Sequence, residues 1–180
     1  NYYLTLGANG QGALDRTNGW NAAGSSVVIT ATPSNHWTFS NWSGQTSGCV
    51  IAGNVITAAM TQARTIMASF AIDLVPITAS CEAHGSIAPS GIVNVAYGAA
   101  TSFVATAELY YHIAGIATNG STVAGTYDRS ATNRILGWPS ATEPGTVTVQ
   151  IGLNLATNHT PELWLAGYYG WTNDFDALAE

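Results

Sequence analysis

The chain has 180 residues, of which 47% are hydrophobic and only 8% are charged; this predicts a folded chain of one large or two small domains. A net charge of −6, with four scattered Arg and no Lys, argues against nucleic-acid binding, which depends on clustered cations. The same charge argues against an anionic membrane surface. The longest apolar runs also fall far short of the roughly 20 residues that span a bilayer.

The first half of the chain has the patterns of successive strands. Residues 2–14 alternate apolar and small polar residues before a Gly-rich turn. Residues 20–33 place β-branched and aromatic residues after a Gly turn, which also predicts a strand. An aromatic segment follows at 37–42, and the alternating run ARTIMASFAI (63–72) ends this half. The pattern opens in mid-strand, as we expect of a piece of a longer protein.

The second half repeats this order. Leu4 and Gly12 correspond to Ile77 and Gly85 at a shift of 73. Six further positions recur at a shift of 74: Gly24/Gly98, Ile29/Phe103, Ala31/Ala105, Trp37/Tyr111, Phe39/Ile113 and Trp42/Ile116. Such a period indicates two diverged copies of one unit. We expect five or six strands in each copy and no helix before residue 158.

These patterns predict three segments: a β domain at 1–72, a second diverged repeat at 73–152 and a tail at 153–180. No Pro/Gly/Ser-rich linker separates the two domains, so we expect them to abut. The second repeat contains a longer insert, 118–145, with several turn signals, and this insert is where we expect any special function. The fold class is mainly β, with two small antiparallel or mixed sheet domains, sandwich-like or β-grasp-like, and a short C-terminal helical tail.

The tail has helix signals. Thr160 is a good N-cap and Pro161 suits the first helical position, which predicts a helix over about 161–168 that ends before Gly170. A second helix start is predicted at 173–174. The aromatic residues of the tail need burial, so we expect the tail to pack on the second domain or on a segment that follows.

The run GSSVVITATPSNHWTFSNWSG, closed by RTIMASF, resembles the divergent B-repeat of bacterial internalins and related surface proteins, and the likeness covers 2–70. The second copy, with HGSIAPSGIVNVAYGAATSFVATAELYYHI, is similar to a related bacterial repeat. It departs from that pattern at the insert and at its last strand, which ends in Gln150-Ile151 rather than Ala-x-Phe. The tail resembles segments that precede Asp-rich calcium-binding repeats.

This resemblance implies small sheet-rich domains, some of them β-grasp-like, in a secreted or cell-surface protein. It implies a spacer, an adhesion module or an appendage of an enzyme, and it transfers no catalytic residue. The low-charge composition, rich in Thr, Ser, Asn and Gly, also suggests an extracellular setting.

Candidate chemical groups are sparse. Glu82 and His84 form the nearest acid–base pair, but no third group orients the His, and a solvated turn pair is the simpler interpretation. The ten acids are spread singly, which argues against the paired carboxylates of a glycosidase. We therefore predict no catalytic residue and no enzyme activity.

We also predict no metal site and no cofactor. The four His are isolated in sequence, and Asp174 with Asp176 falls short of the roughly six to eight oxygens that calcium prefers. Cys49 and Cys81 lack metal-ligand spacing. Two unpaired thiols are favoured over a disulfide, although the sequence leaves both alternatives open.

Carbohydrate binding is the main rival to a structural role, because six Trp and a neutral polar surface suit sugars. Trp20 and Trp138 are the candidate ligand contacts, since each lies beside turn residues and is expected to be exposed. The aromatic segment has a different interpretation. Trp37 and Phe39 share a parity that Trp42 breaks, so we expect a bulge near 40–41, and again near 114–115, that directs all three side chains to the core. An exposed Trp42 is the alternative.

The sequence thus predicts a non-catalytic structural, spacer or adhesion module of a large bacterial secreted or cell-surface protein. The alternative is a carbohydrate-binding appendage of a polysaccharide-degrading enzyme. The expected partners are neighbouring domains of the same polypeptide and either glycans or surface proteins. Neither nucleic acid nor membrane insertion is expected.

Overall fold

A computed structural model describes residues 1–156 and 159–170, and it confirms the mainly β fold class. The chain divides into two compact units, Asn1–Asp73 and Leu74–Glu180, which we name unit 1 and unit 2. Each unit contains eight described strands. The prediction of five or six was wrong, because several strands of only two to four residues pair with longer ones and leave no periodic signal in the sequence.

Unit 1 folds into two four-stranded sheets with the orders β3-β1-β8-β5 and β2-β4-β7-β6. The first and last strands lie side by side and are parallel, whereas every other pair in this fully described unit is antiparallel. The strands are β1 (Tyr2–Asn9), β2 (Gly12–Leu14), β3 (Gly19–Asn21), β4 (Ser26–Pro33), β5 (Trp37–Gly44), β6 (Val50–Ala52), β7 (Val55–Ala59) and β8 (Arg64–Ile72).

The core of unit 1 lies between its two sheets. Alternate residues of β1 and β8 on one side, and of β4 and β7 on the other, are buried together, as half-buried strands require. Residues 1–73 contain no helix. The sandwich-like alternative therefore describes this unit, because a β-grasp fold packs its sheet against a helix.

Unit 2 has a five-stranded sheet, β11-β9-β16-β13-β14, and a three-stranded sheet, β10-β12-β15. Its first and last strands are again neighbours and parallel. The strands are β9 (Leu74–Cys81), β10 (Gly85–Ala88), β11 (Gly91–Ala96), β12 (Thr101–Ala107), β13 (Tyr111–Thr118), β14 (Ser121–Thr122), β15 (Asn133–Trp138) and β16 (Gly145–Leu153).

The two units share one strand framework. The central parallel pair aligns Leu4 with Arg64 in unit 1 and Ile77 with Gly145 in unit 2. Left-handed backbone also recurs at matching places, because φ is 61° at His36 and 70° at Tyr110. A positive φ is uncommon outside glycine, so its recurrence at both positions marks the same chain path. These correspondences are the ones expected if unit 2 is a diverged copy of unit 1.

The predicted bulges are also confirmed. The pairing of β5 with β8 shifts register between Phe39 and Asn41, and that of β13 with β16 shifts between Ile113 and Gly115. The bulge turns Trp42 into the core, where it is only 8% exposed. Its buried Nε1 has no hydrogen-bond partner among the described residues. The exposed alternative for Trp42 was therefore wrong, and this ring is a packing residue.

An amide side chain fastens the start of the last strand in each unit. The Oε1 atom of Gln45 accepts a hydrogen bond from the Thr65 N–H at 2.7 Å, and the Oδ1 atom of Asn119 accepts one from the Thr146 N–H at 2.8 Å. In turn, the backbone N–H groups of Gln45 and Asn119 donate to the carbonyls of the same threonines, at 2.8 and 3.0 Å. Both units thus secure the same end of the central strand with the same chemistry.

Arg64 is a buried cation that holds the loops at this end of unit 1. Its residue is 3% exposed. Its Nε donates to the carbonyl of Ala59 at 2.7 Å, and its Nη1 donates to the carbonyls of Gln45 and Ser47, each at 2.8 Å. The guanidinium fork is suited to several acceptors at once. It joins the loop after β5 to the end of β7.

The tail forms one described helix, α1 (Glu162–Tyr169), which ends at left-handed Gly170 as predicted. Pro161, not Thr160, is its N-cap and makes no side-chain capping bond, so the predicted start was one residue early. Trp164 and Tyr168 are 50% and 71% exposed, so they are not buried against the described part of the second domain; packing on a segment that follows stays a prediction. They stack on each other at 5.1 Å, one turn apart, on the solvent side of the helix. The predicted helix start at 173–174 lies outside the described residues.

The role of Arg64 gives a stability prediction. We expect Arg64→Met to lower the free energy of unfolding of unit 1 by about 3 kcal/mol, because three carbonyls lose their donors in a buried place. Arg16 is the matched control, since it is exposed and donates from Nε to one carbonyl, that of Val28, at 3.2 Å. Arg16→Met should cost under about 1 kcal/mol. Urea titration measures both values, and equal losses contradict this role.

Candidate functional site

Trp20, one of the two predicted ligand contacts, lies on the edge strand β3 and is 71% exposed, as expected. It pairs with Tyr3 across the strands, and the two rings meet edge to face, with centroids 5.3 Å apart and planes 74° apart. Tyr3 itself is 38% exposed. The pair is an aromatic surface at one border of the unit 1 sheet.

Trp138, the other predicted contact, ends β15 and is only partly exposed, because it packs against the core of unit 2. The ring of Trp138 is therefore less exposed than the sequence predicted. The far edge of its indole lies over Gly145, where an added Cβ would be 2.5 Å from the ring. Only glycine fits below this ring, so β16 and the core hold the indole in place.

A cleft of about 460 Å³ opens beside Trp138, and we name it the Trp138 cleft. It lies between the end of β13 and the segment that follows β15. The cleft is lined by Thr118, Asn119, Val123, Leu136, Gly137, Trp138, Pro139 and Ser140. Its volume falls in the range of about 300–1,000 Å³ that is typical of small-molecule sites.

The Trp138 cleft lies beside the place that Arg64 fills in unit 1, and in unit 2 the edge of the Trp138 indole takes that place. Gly145 is the counterpart of Arg64, because each residue begins the last strand at the same register. Asn119 is likewise the counterpart of Gln45, whose carbonyl Arg64 binds. Residues 118–145 therefore differ from unit 1 by more than added length, because a buried cation is replaced by glycine and by the indole of Trp138, which comes from the other sheet.

Glu82 and His84 do not act as a pair. The Oε2 atom of Glu82 accepts a hydrogen bond from the Ile151 N–H at 3.0 Å. The Nδ1 atom of His84 lies 3.2 Å from Oε2 of Glu108, and its ring stacks on Tyr111 at 4.2 Å with the planes 6° apart. Each side chain thus joins a different part of unit 2. These contacts hold each side chain against its own neighbours, and they do not bring Glu82 and His84 together for proton transfer.

A second cleft of unit 2, of about 350 Å³, lies between β13 and α1 and includes Glu108 and Glu162. Glu162 is buried, and its Oε1 atom is 3.5 Å from Nη1 of Arg129. Within residues 1–156 and 159–170, no group of three or more His, Cys, Asp and Glu could hold a metal ion. The sequence did not indicate this cleft, because Glu162 reaches it only through the folding of the tail. Asp174 and Asp176 lie outside the described residues.

Both cysteines are free thiols. Burial raises the pKa of the Cys81 thiol, and the neighbouring charge of Glu82 raises it further. Cys81 therefore stays protonated to a higher pH than an ordinary thiol, and its protonated form is a poor nucleophile.

Residues 2–73 match the family model of the divergent InlB B-repeat domain. This match confirms the predicted resemblance for the first repeat. No curated protein and no solved structure matches the chain. Among the described helices, none is long and apolar enough to cross a membrane. A repeat domain of this family suggests a structural or adhesion module.

The state of Cys81 gives a pH prediction. We expect the alkylation rate of Cys81 in the folded chain to rise at a higher pH than in the urea-unfolded chain, because its pKa is raised on folding. Glu82→Gln should move the midpoint part of the way back, since burial, the larger cause, remains. Peptide mapping after timed alkylation measures both midpoints. The same midpoint in the folded and unfolded chains contradicts the prediction.

Proposed function

We propose that the chain is a non-catalytic structural or adhesion module of a large bacterial secreted or cell-surface protein. The observation that carries this proposal is the duplicated framework, which gives each unit its own closed core. The residues common to the two units, in the bulges, the amide contacts and the central strand pair, serve the packing of each sheet sandwich. A stack of such units separates other parts of a polypeptide without needing a reaction centre.

The surface chemistry supports the same proposal. Only 8% of residues are charged, and polarity comes mainly from Ser, Thr, Asn and Gly. Such a surface supports weak, neutral contacts from loops rather than strong electrostatic ones. The partners we propose are neighbouring domains of the same polypeptide, with glycans or surface proteins as external contacts. The location we propose is extracellular or on the cell surface.

A spacer made of self-contained units should unfold one unit at a time under force. When the whole chain is stretched in single-molecule force spectroscopy, we expect two separate unfolding events. Unit 1, Asn1–Asp73, should release roughly 250 Å of chain, at about 3.5 Å per residue. Gln45→Ala removes the side-chain acceptor of Thr65 and should lower the force of one event only, which leaves the other as an internal control. One event that releases the full length contradicts the proposal.

A second candidate function is a carbohydrate-binding appendage of a polysaccharide-degrading enzyme, with Trp20 and Trp138 as candidate contacts. The observation that favours it is the exposure of Trp20 beside Tyr3. Aromatic rings at a surface can stack on the apolar C–H face of a sugar, and neutral polar groups around them can bind its hydroxyls.

A glycan panel tests this second candidate. We expect soluble neutral polysaccharides to change the intrinsic Trp fluorescence of the chain, because a sugar stacked on an indole removes water from the ring. Trp164→Ala is the control, since Trp164 is another half-exposed indole that this candidate does not use. The control should keep the response. Absence of a response to every glycan of the panel contradicts the candidate and leaves the structural function untouched.

A further inference from the structure

The Trp138 cleft is a difference between two copies of one framework. In unit 1 the residue that begins the last strand is Arg64, and its guanidinium donates to the carbonyls of Ala59, Gln45 and Ser47. In unit 2 the corresponding residue is Gly145, which has no side chain to donate. The edge of the Trp138 indole therefore stands where the Arg64 side chain begins in unit 1, and the cleft opens beside that ring.

The cleft is built around a ring whose position is fixed. Trp138 packs on the core of unit 2, and the far edge of its indole lies over Gly145. A side chain at Gly145 would displace the ring, so glycine here permits the close approach. A ring held in this way loses little freedom when a ligand binds, which favours affinity.

The lining combines apolar residues with neutral polar ones. Trp138 and Pro139 supply apolar surface, and Thr118, Asn119 and Ser140 supply hydroxyl and amide groups. The Oδ1 atom of Asn119 is used by the Thr146 N–H, and its amide keeps N–H groups that can donate. None of the described lining residues carries a charge.

We propose that the Trp138 cleft binds one ring of a neutral saccharide, with the apolar C–H face of the sugar against the indole of Trp138. The inference rests on the carbohydrate-binding candidate and names its site and ligand class. A pyranose matches the lining because it combines an apolar face with hydroxyls that both donate and accept. A purely apolar side chain would offer no partner to the amide N–H groups of Asn119, which is unfavourable. An acidic sugar finds no cation in the lining and meets a chain of net charge −6.

The test locates binding on the whole chain by two-dimensional ¹H–¹⁵N NMR. The probes are cellohexaose, mannohexaose and xylohexaose as neutral glycans, with hexagalacturonate as the charged one. We expect at least one neutral probe to shift the indole N–H of Trp138 and the amide signals of Gly137 and Ser140. Hexagalacturonate should bind at least tenfold more weakly. The indole signal of Trp20 should stay in place, since Trp20 does not line the cleft.

Two variants separate the cleft from the rest of the chain. Ser140→Phe places a ring at the rim and leaves Trp138 unchanged, so it should weaken binding at least tenfold while the other NMR signals keep their folded positions. Trp164→Ala is the matched control, because this half-exposed indole does not line the cleft, and it should bind the neutral probe within twofold of the unchanged chain. Both variants alter one side chain of a lining or surface position without removing a residue of either core.

The outcomes are distinguishable. Binding that shifts Trp20 and spares Trp138 overturns the cleft and leaves the carbohydrate-binding candidate standing. Equal affinity for hexagalacturonate, or unchanged affinity in Ser140→Phe, also overturns the cleft. The highest probe concentration is about 10 mM, which is enough to detect weak, millimolar binding. If no neutral hexasaccharide shifts the Trp138 signal at this concentration, the proposal is also overturned.

Discussion

The parallel pairing of the first and last strand is the constraint on which each unit depends. β1 lies beside β8 and β9 beside β16, so the chain between them must complete both sheets and return to its starting point. Parallel neighbours cannot be joined by a tight turn. Once this pair is formed, the bulge in β5 or β13 turns its strand around the core, and the amide of Gln45 or Asn119 fastens the end of the pair.

The same constraint explains where the two units differ. The last strand begins at Arg64 in unit 1 and at Gly145 in unit 2. At this point it enters the sheet between two loops, and a side chain must fill the space between those loops. Unit 1 fills it with a cation bonded to backbone carbonyls. Unit 2 uses glycine and covers it with the ring of Trp138, which leaves a cleft. The framework therefore tolerates a different filling at this end while the central parallel pair keeps its register.

Much of this fold was predictable, because the residues that specify it have a local pattern. The recurring positions, the parity break at Trp42 and the glycine that ends the tail helix all follow from spacing. The short strands could not be predicted in this way, because two or three paired residues are too few to show an alternating pattern in the sequence. The role of Arg64 was also hidden, because its partners are backbone carbonyls, which any residue provides. The contact of Trp138 with Gly145 depends on the path of the loop between them, and no sequence signal specifies that path.

The central claim is that unit 2 repeats the strand framework of unit 1, and NMR contacts across the central pairs test it most directly. The account predicts α-proton to amide-proton contacts of parallel strands in both units, with Leu4 beside Arg64 and Ile77 beside Gly145. Both sets should appear in one spectrum of the whole chain. An antiparallel pattern in either pair, or a register in unit 2 that differs from that of unit 1, would contradict the duplicated framework.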